Sequence, residues 1–211
     1  PAETTGMQAY AEALLRHIER FVPHARTAAR DLYGCRGLWF PIQTDAWGRA
    51  TPESRNYAVW VGAAPWLGQH LWWHYEYGRD EGFLRERAYP LMKGASEFFL
   101  DYLIEDPVFG KGWLVSGPSN SPERGGLVMA PTMDHQIIRH LLQATSEAAA
   151  VLDCDTEFAA RLQKTAARIA PNQVGKEGQL KEWLYTEDPK TTHRHVSHLW
   201  GLHPGMEITP E

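Results

Sequence analysis

Apolar side chains recur at three- and four-residue spacing along most of this chain, and that rhythm limits its fold more than any other feature. Met7, Tyr10, Ala11, Leu14, Leu15, Ile18, Phe21 and Val22 follow it near the start, so they share one face of an amphipathic helix. Pro23 is expected to interrupt that helix, because its ring removes a donor and crowds the preceding turn. A second long helical stretch is predicted from Val59 to Tyr77, ending near Gly78, with Asp80 placed to cap the next. The helix after it carries Phe83, Leu84, Leu91, Met92, Ala95, Phe98, Phe99, Tyr102 and Leu103, with Pro90 predicting a kink or break. Pro131 suits a helix start, and Ile137, Ile138, Leu141, Leu142 and Leu152 form the stripe that follows. Asp155 then repeats the role of Asp80. In GRDEGFLRE and DCDTEFAAR alike, an aspartate precedes a phenylalanine by three positions, the weak self-similarity of stacked antiparallel helical hairpins. Alternating period-2 runs of any length are missing, so the expected fold is all-α.

Three long connections separate the helix pairs: Leu38 to Asn56, Gly110 to Ala130, and Pro171 to Pro204. Connections of such length inside a compact domain are usually functional or disordered. All three contain tryptophan, which argues against disorder. Trp occurs nine times in the 211 residues. An indole joins a flat apolar face to one hydrogen-bond donor, a combination that suits sugar rings as well as interfaces. Most of these indoles are nonetheless expected in the core.

A net charge of -5, with acids and bases interspersed, provides no field for phosphates, so nucleic acid is a poor partner. No apolar run approaches the ~20 residues of a membrane-spanning helix, and no stretch has the form of a signal peptide. The sequence begins at Pro1 without a Met, which is compatible with processing or truncation and leaves the compartment open. Cys35 and Cys154 lack any CxxC spacing and are expected to be free thiols, with a single bridge between them as the alternative. A GxSxG elbow, a Walker loop and a dinucleotide glycine fingerprint are all absent, which removes serine hydrolase, kinase and nicotinamide readings.

The second connection contains SGPSNSPERGG, Ser116 to Gly126, where turn-forming residues surround a single acid, Glu123. A carboxyl held against aromatic walls loses solvation and is pushed toward donating a proton, which makes Glu123 a candidate general acid. Asp134 follows near a helix start, where it either serves the helix terminus or joins the site. In the first connection Asp45 stands beside Trp47, a carboxylate and an indole that together suit a sugar, though an aspartate there is also an ordinary turn residue. The third connection holds HRHVSHLWGLH, with His193, Arg194, His195, His198 and His203. Its spacing matches no recognised zinc framework and Arg194 would repel a cation, so no metal is expected. Neutral imidazole donors and one fixed cation gripping hydroxyls fit better, with histidines bridging backbone carbonyls as the plainer alternative. GKEGQLKEWL places Gln179, Glu182 and Trp183 on a predicted short helix, with Glu182 facing the site or pairing with Lys181 or Arg194. Several acids in Trp-rich loops meet the general demand of glycoside hydrolysis for two carboxyl groups flanking the scissile bond.

The segments PAETTG, TDAWG, WLGQHLWWHY, FLRERAYPLMKGASEFFLDYL, PSNSPE, PTMDHQIIR, QVGKEGQLKEW and RHVSHLWGLHPGMEITP follow one another in an order that resembles the catalytic domain of glycoside hydrolase family 95. The resemblance covers almost the whole chain. It implies that residues 1–211 form part of a single (α/α)6 toroid, an incomplete barrel, from an inverting exo-glycosidase acting on α-L-fucosides or α-L-galactosides. It implies Glu123, the acid of the family's SPE motif, as general acid. It also implies Asp45, Trp47, Arg194 and His195 in the sugar pocket, with Trp60 as a further pocket residue. On the reading of the residues themselves, His198 joins the substrate-binding donors, and Asp134 and Glu182 are possible supporting residues. No cofactor is implied. The partners would be a glycan ending in L-fucose or L-galactose and the rest of the catalytic domain, with work done in the periplasm or outside the cell. The family's water-activating asparagines would precede Pro1 and its catalytic aspartate would follow Glu211, so the base lies outside this chain and the fragment alone would be inactive. Two departures stand out. Pro41, Ile42 and Gln43 replace the two histidines and asparagine that commonly precede TD. Arg124 replaces the asparagine after the SPE glutamate, and a guanidinium there favours the carboxylate unless it points away. The alternatives are a catalytically inactive carbohydrate-binding homologue and a helical interaction scaffold.

Overall fold

The computed structural model describes residues 2–52, 59–187 and 193–210. Helix α1, Ala11–Tyr33, buries Leu15, Ile18, Phe21, Ala25, Ala28 and Ala29, the face that the spacing predicts. It runs through Pro23 without a break. Pro23 lies on the exposed side, so the carbonyl that loses its helical partner can turn to water. Gly34 ends α1 in the left-handed region at φ 64, its N–H closing on the Arg30 carbonyl at 3.0 Å, as glycine does at helix ends.

Helix α2 spans Ala63–Gly78 and begins later than Val59, because Val59 lies in a turn and Trp60 and Val61 in irregular backbone before it. The short helix α3, Glu81–Phe83, is capped as expected: the Phe83 N–H donates to Asp80 Oδ1 at 3.0 Å. A π-wound segment, Leu84–Ala88, leads into α4, Tyr89–Tyr102. The irregularity thus precedes Pro90, which occupies the first turn of α4, where a missing N–H costs no helical bond. Helices α5, Thr132–Val151, and α6, Thr156–Arg168, complete the α-helices among the described residues, beside two short 3-10 turns at Gln8–Tyr10 and Ser197–Leu199. Asp155 does not repeat the role of Asp80. It stands at φ 50 with no capping bond, and its carboxylate accepts instead from Tyr89 Oη at 2.8 Å and Lys93 Nζ at 2.6 Å.

Helix α5 is the hub, packing against α2, α4 and α6. Ile137, Ile138, Leu141 and Leu142 on α5 meet Met92, Phe98 and Phe99 of α4 in the main core. Inside it Ser96 and Thr145 hydrogen-bond at 3.0 Å, and the Thr145 hydroxyl donates to the Leu141 carbonyl at 2.8 Å, so burial leaves neither hydroxyl unpaired. Of the nine indoles, only Trp39, Trp72, Trp183 and Trp200 are fully buried, while Trp47 and Trp66 are exposed. Fewer lie in the core than composition suggests.

Two small antiparallel sheets interrupt the all-α expectation. Strands β1, Ile104–Glu105, and β2, Leu114–Val115, form one, and β3, Ser119–Ser121, and β4, Arg124–Val128, form the other. The β3–β4 register pairs Ser119 with Val128 and Ser121 with Arg124, so Pro122 and Glu123 make the turn. Such short strands carry no alternating pattern for sequence reading to detect. A second apolar cluster, Val115, Ala130, Ala170 and Leu184, lies beside this hairpin. Gln179, Glu182 and Trp183 are not helical. Their segment runs extended along the start of α5, with the Thr132 N–H donating to the Glu182 carbonyl at 2.9 Å and the Leu184 N–H to Ala130 at 3.1 Å. Cys35 and Cys154 are free thiols.

Candidate active site

The β3–β4 hairpin presents Glu123 at its tip for local reasons. Asn120 Nδ2 donates across the hairpin to the Gly126 carbonyl at 2.7 Å. Gly125 and Gly126 take φ values of 82 and 65, in the region that glycine enters without steric cost. At Gly125 a Cβ would come within 2.9 Å of the Trp183 ring, so the turn lies directly on that indole.

Glu123 meets the third connection. Arg194 Nη2 donates to its carboxylate, and His195 Nε2 stands 3.3 Å from the same oxygen. Arg194 Nε also reaches His195 Nε2 at 3.2 Å. The Ser197 hydroxyl donates to the Pro122 carbonyl, tying the third connection to the residue before the acid. The expected aromatic wall is therefore not what Glu123 meets. Its carboxylate contacts a guanidinium and an imidazole, and the Trp183 indole is covered by Gly125 and Arg124.

Arg124 turns away from its neighbour. Its Nη1 donates to Glu182 Oε2 at 2.9 Å, and its guanidinium lies 5.0 Å from the Trp183 ring centre. Glu182, expected to face the site or to pair with Lys181 or Arg194, is buried and also accepts from Ser121 Oγ at 2.7 Å. Lys181 Nζ goes to the Leu184 carbonyl instead. His198 Nδ1 stands 4.0 Å from Glu182. Burial holds the His198 imidazole below its ordinary range against the opposing pull of Glu182, which keeps the ring neutral near pH 7.

Asp134 is fully buried in the first turn of α5 but does not serve that helix's N–H groups. Its carboxyl accepts from Trp60 Nε1 at 3.1 Å and from Ser116 Oγ at 2.9 Å. Burial pushes it up to about 7, with those donors offsetting part of the effect. It thereby joins α5 to the loop before the hairpin and fixes the edge of the Trp60 indole.

That indole lines a cavity of about 710 Å³ between α1, α2 and the third connection, together with His17, Thr44, Pro122, His195 and His203. Phe21, Phe40 and Trp200 add aromatic surface to the same wall. Of the candidate site residues singled out in sequence, Trp60, His195 and His203 line the cavity. Glu123 and Arg194 stand at its rim through Pro122 and His195, and His198 lies behind the hairpin. Asp45 and Trp47 do not reach the cavity. Asp45 accepts the N–H groups of Trp47 and Arg49 at 2.9 and 3.0 Å, bonds that hold it below the usual carboxylate range, led by Arg49. Trp47 is 85% exposed. His193 instead accepts the His195 N–H through Nδ1 at 3.1 Å.

Two site features escaped the sequence. His17 sits on α1 and its Nε2 meets Thr44 Oγ1 at 2.8 Å; a histidine on the edge of an apolar stripe was its only signal. Ser197 lay inside the histidine run without a chemical signature of its own. Among the described residues no group of three His, Cys, Asp or Glu could hold a metal ion.

The helical scaffold is shared with a putative kojibiose phosphorylase from the human microbiome, at a TM-score of 0.63 and 12% identity, over 77% of this chain and 25% of that one. This likeness places the chain in a helical fold class. The chain belongs to glycosyl hydrolase family 95, whose catalytic domain matches residues 1–211. Alpha-L-fucosidase 2 of Arabidopsis thaliana is 34% identical over 95% of this chain, and Probable alpha-fucosidase A of Aspergillus niger is 30% identical over 98%. The chain spans 25% and 27% of those two relatives, about a quarter of their length.

Proposed function

We propose that this chain supplies the acid-bearing part of an (α/α)6 catalytic domain that hydrolyses α-L-fucosides, or the closely related α-L-galactosides, with inversion. Glu123 serves as general acid, protonating the glycosidic oxygen as the bond to the anomeric carbon breaks. A base on another part of the domain activates water on the opposite face, since inversion requires a second group across the ring. The observation that carries this reading is the hairpin tip. A two-residue turn places Glu123 against Arg194 and His195 at the mouth of a cavity lined by Trp60 and imidazoles.

The roles follow from the contacts. Arg194 and His195 offer donors to sugar hydroxyls, and a bound sugar that engages Arg194 draws it from Glu123 and leaves that carboxyl to carry a proton. The Trp60 ring, fixed at its N–H by Asp134, presents a flat apolar face to the C–H side of a pyranose. The matches to alpha-L-fucosidases support the substrate class, and the rest of the same catalytic domain completes the site.

Glu123→Gln in the full-length enzyme tests the assignment. Loss of a general acid removes about 10²–10⁴-fold in rate. The expected result is a fall of that size on natural linkages, with sugar binding kept and a smaller loss on aryl fucosides whose leaving group needs no proton. Near-normal turnover of natural linkages refutes Glu123 as the acid. Proton NMR of the first-formed sugar tests inversion separately, with β-L-fucose expected and the α-anomer refuting it.

A further inference from the structure

We propose that Gln136 is a positioning residue whose side-chain amide clamps the third connection to α5 and so sets Arg194 and His195 against the hairpin of Glu123. The inference rests on the reading of Arg194 and His195 as donors to the sugar. Gln136 lies in the second turn of α5 and is fully buried, where an amide is costly unless its polar atoms are paired. Its Oε1 accepts from the Gly201 N–H at 2.8 Å, and its Nε2 donates to the His198 carbonyl and to Asn172 Oδ1, each at 3.0 Å. Both donors and an acceptor are thus used on the two ends of one connection. A Cβ on Gly201 would stand 2.8 Å from the same Nε2, so the loop backbone lies directly on the amide.

The clamp reaches the site through a short rigid path. Ser197–Leu199 form one 3-10 turn, closed by the Leu199 N–H on the Val196 carbonyl at 2.8 Å and the Trp200 N–H on the Ser197 carbonyl at 3.0 Å. That turn ends on the backbone that Gln136 holds and begins at Ser197, whose hydroxyl donates to the Pro122 carbonyl. Arg194 and His195 stand just before it and are exposed, so burial does not fix them and the anchor behind them does. The hairpin is held to the same helix. The N–H and hydroxyl of Thr132 donate to the carbonyls of Glu182 at 2.9 Å and Lys181 at 2.6 Å, and Glu182 accepts from Ser121 Oγ at 2.7 Å. Helix α5 therefore lies under both the acid and its sugar-gripping neighbours, and a common rigid element keeps their separation constant.

The test uses the full-length enzyme and an aryl α-L-fucoside, whose leaving group needs no proton, so that grip on the sugar is read apart from the acid. Gln136→Met keeps the size of the side chain and removes all three bonds. It is expected to lower kcat/KM by about tenfold or more, with most of the change in KM, as small misplacements of binding groups do. Coupling separates positioning from stability. Added to a variant lacking both sugar-gripping side chains, Arg194→Ala with His195→Ala, Gln136→Met is expected to cost less than about twofold further. A merely structural role costs the same factor in both backgrounds. Equal losses in the two backgrounds overturn the proposal, as does a Gln136→Met enzyme with normal kcat/KM. If Gln136→Met fails to fold, Gly201→Ala replaces it, because its methyl group displaces the same amide from the loop side, with the same coupling required. An enzyme carrying Arg194→Ala and His195→Ala with undiminished kcat/KM points to failure of the underlying reading of the sugar donors. A defective enzyme of that kind, beside a Gln136→Met effect that is absent or additive, points to failure of this inference alone.

Discussion

Asp134→Asn removes a pH-dependent weakness from the fold, and its size follows from the burial of that carboxyl. In the folded state burial raises Asp134 from its ordinary 3.8 to about 7, because the ionised form loses water that Ser116 and Trp60 replace only in part. The unfolded carboxyl titrates near its ordinary value. Below about pH 4 both states hold the proton, and above about pH 7 both have released it, so neither region contributes a slope. Between these limits the folded state alone is protonated, and rising pH favours unfolding. At about 1.36 kcal/mol per pH unit, the window is worth up to about 4 kcal/mol, of which about 2.5 kcal/mol falls between about pH 5 and pH 7.5. Asparagine has nothing to titrate and keeps one carbonyl oxygen for these donors. The wild type therefore loses about 2.5 kcal/mol relative to Asp134→Asn across that interval, with its advantage greatest at the acidic end. Urea denaturation of both proteins at a series of pH values measures the difference. Curves that stay parallel from acid to neutral pH refute a buried, raised carboxyl at this position.

Two substitutions probe the scaffold under the site. Gly37→Ala would place a methyl group 2.2 Å from the Gly94 carbonyl oxygen and 2.6 Å from the Phe98 nitrogen, at φ 76; a loss of about 2–4 kcal/mol is expected, and an unchanged melting temperature would contradict the close approach. Asp80→Ala removes the bond to the Phe83 N–H and is expected to cost about 1 kcal/mol. A loss below about 0.2 kcal/mol in chemical denaturation would show that the cap contributes nothing.

Much of this arrangement was legible because it depends on neighbours in sequence. The stripe on α1, the cap at Asp80 and the turn chemistry around Glu123 each follow from residues within one or two turns of each other. Pro23 misleads for an equally local reason. Its ring removes one bond, but whether that bond matters depends on which side of α1 faces water, and only packing sets that. Asp155 shows the limit of analogy, since it has Asp80's spacing to Phe yet is drawn to Tyr89 and Lys93.

By itself the sequence determined the helical scaffold, the hairpin-forming composition around one acid, and the family to which those motifs belong. The tertiary structure alone decided where the charges go: Arg124 to Glu182, Glu123 to Arg194 and His195, and Asp134 to Trp60 and Ser116. Local periodicity is written in spacings of three and four. Each of these pairs except Asp134 with Ser116 joins residues more than fifty positions apart, and no spacing rule says which buried charge will find which partner until the helices have packed.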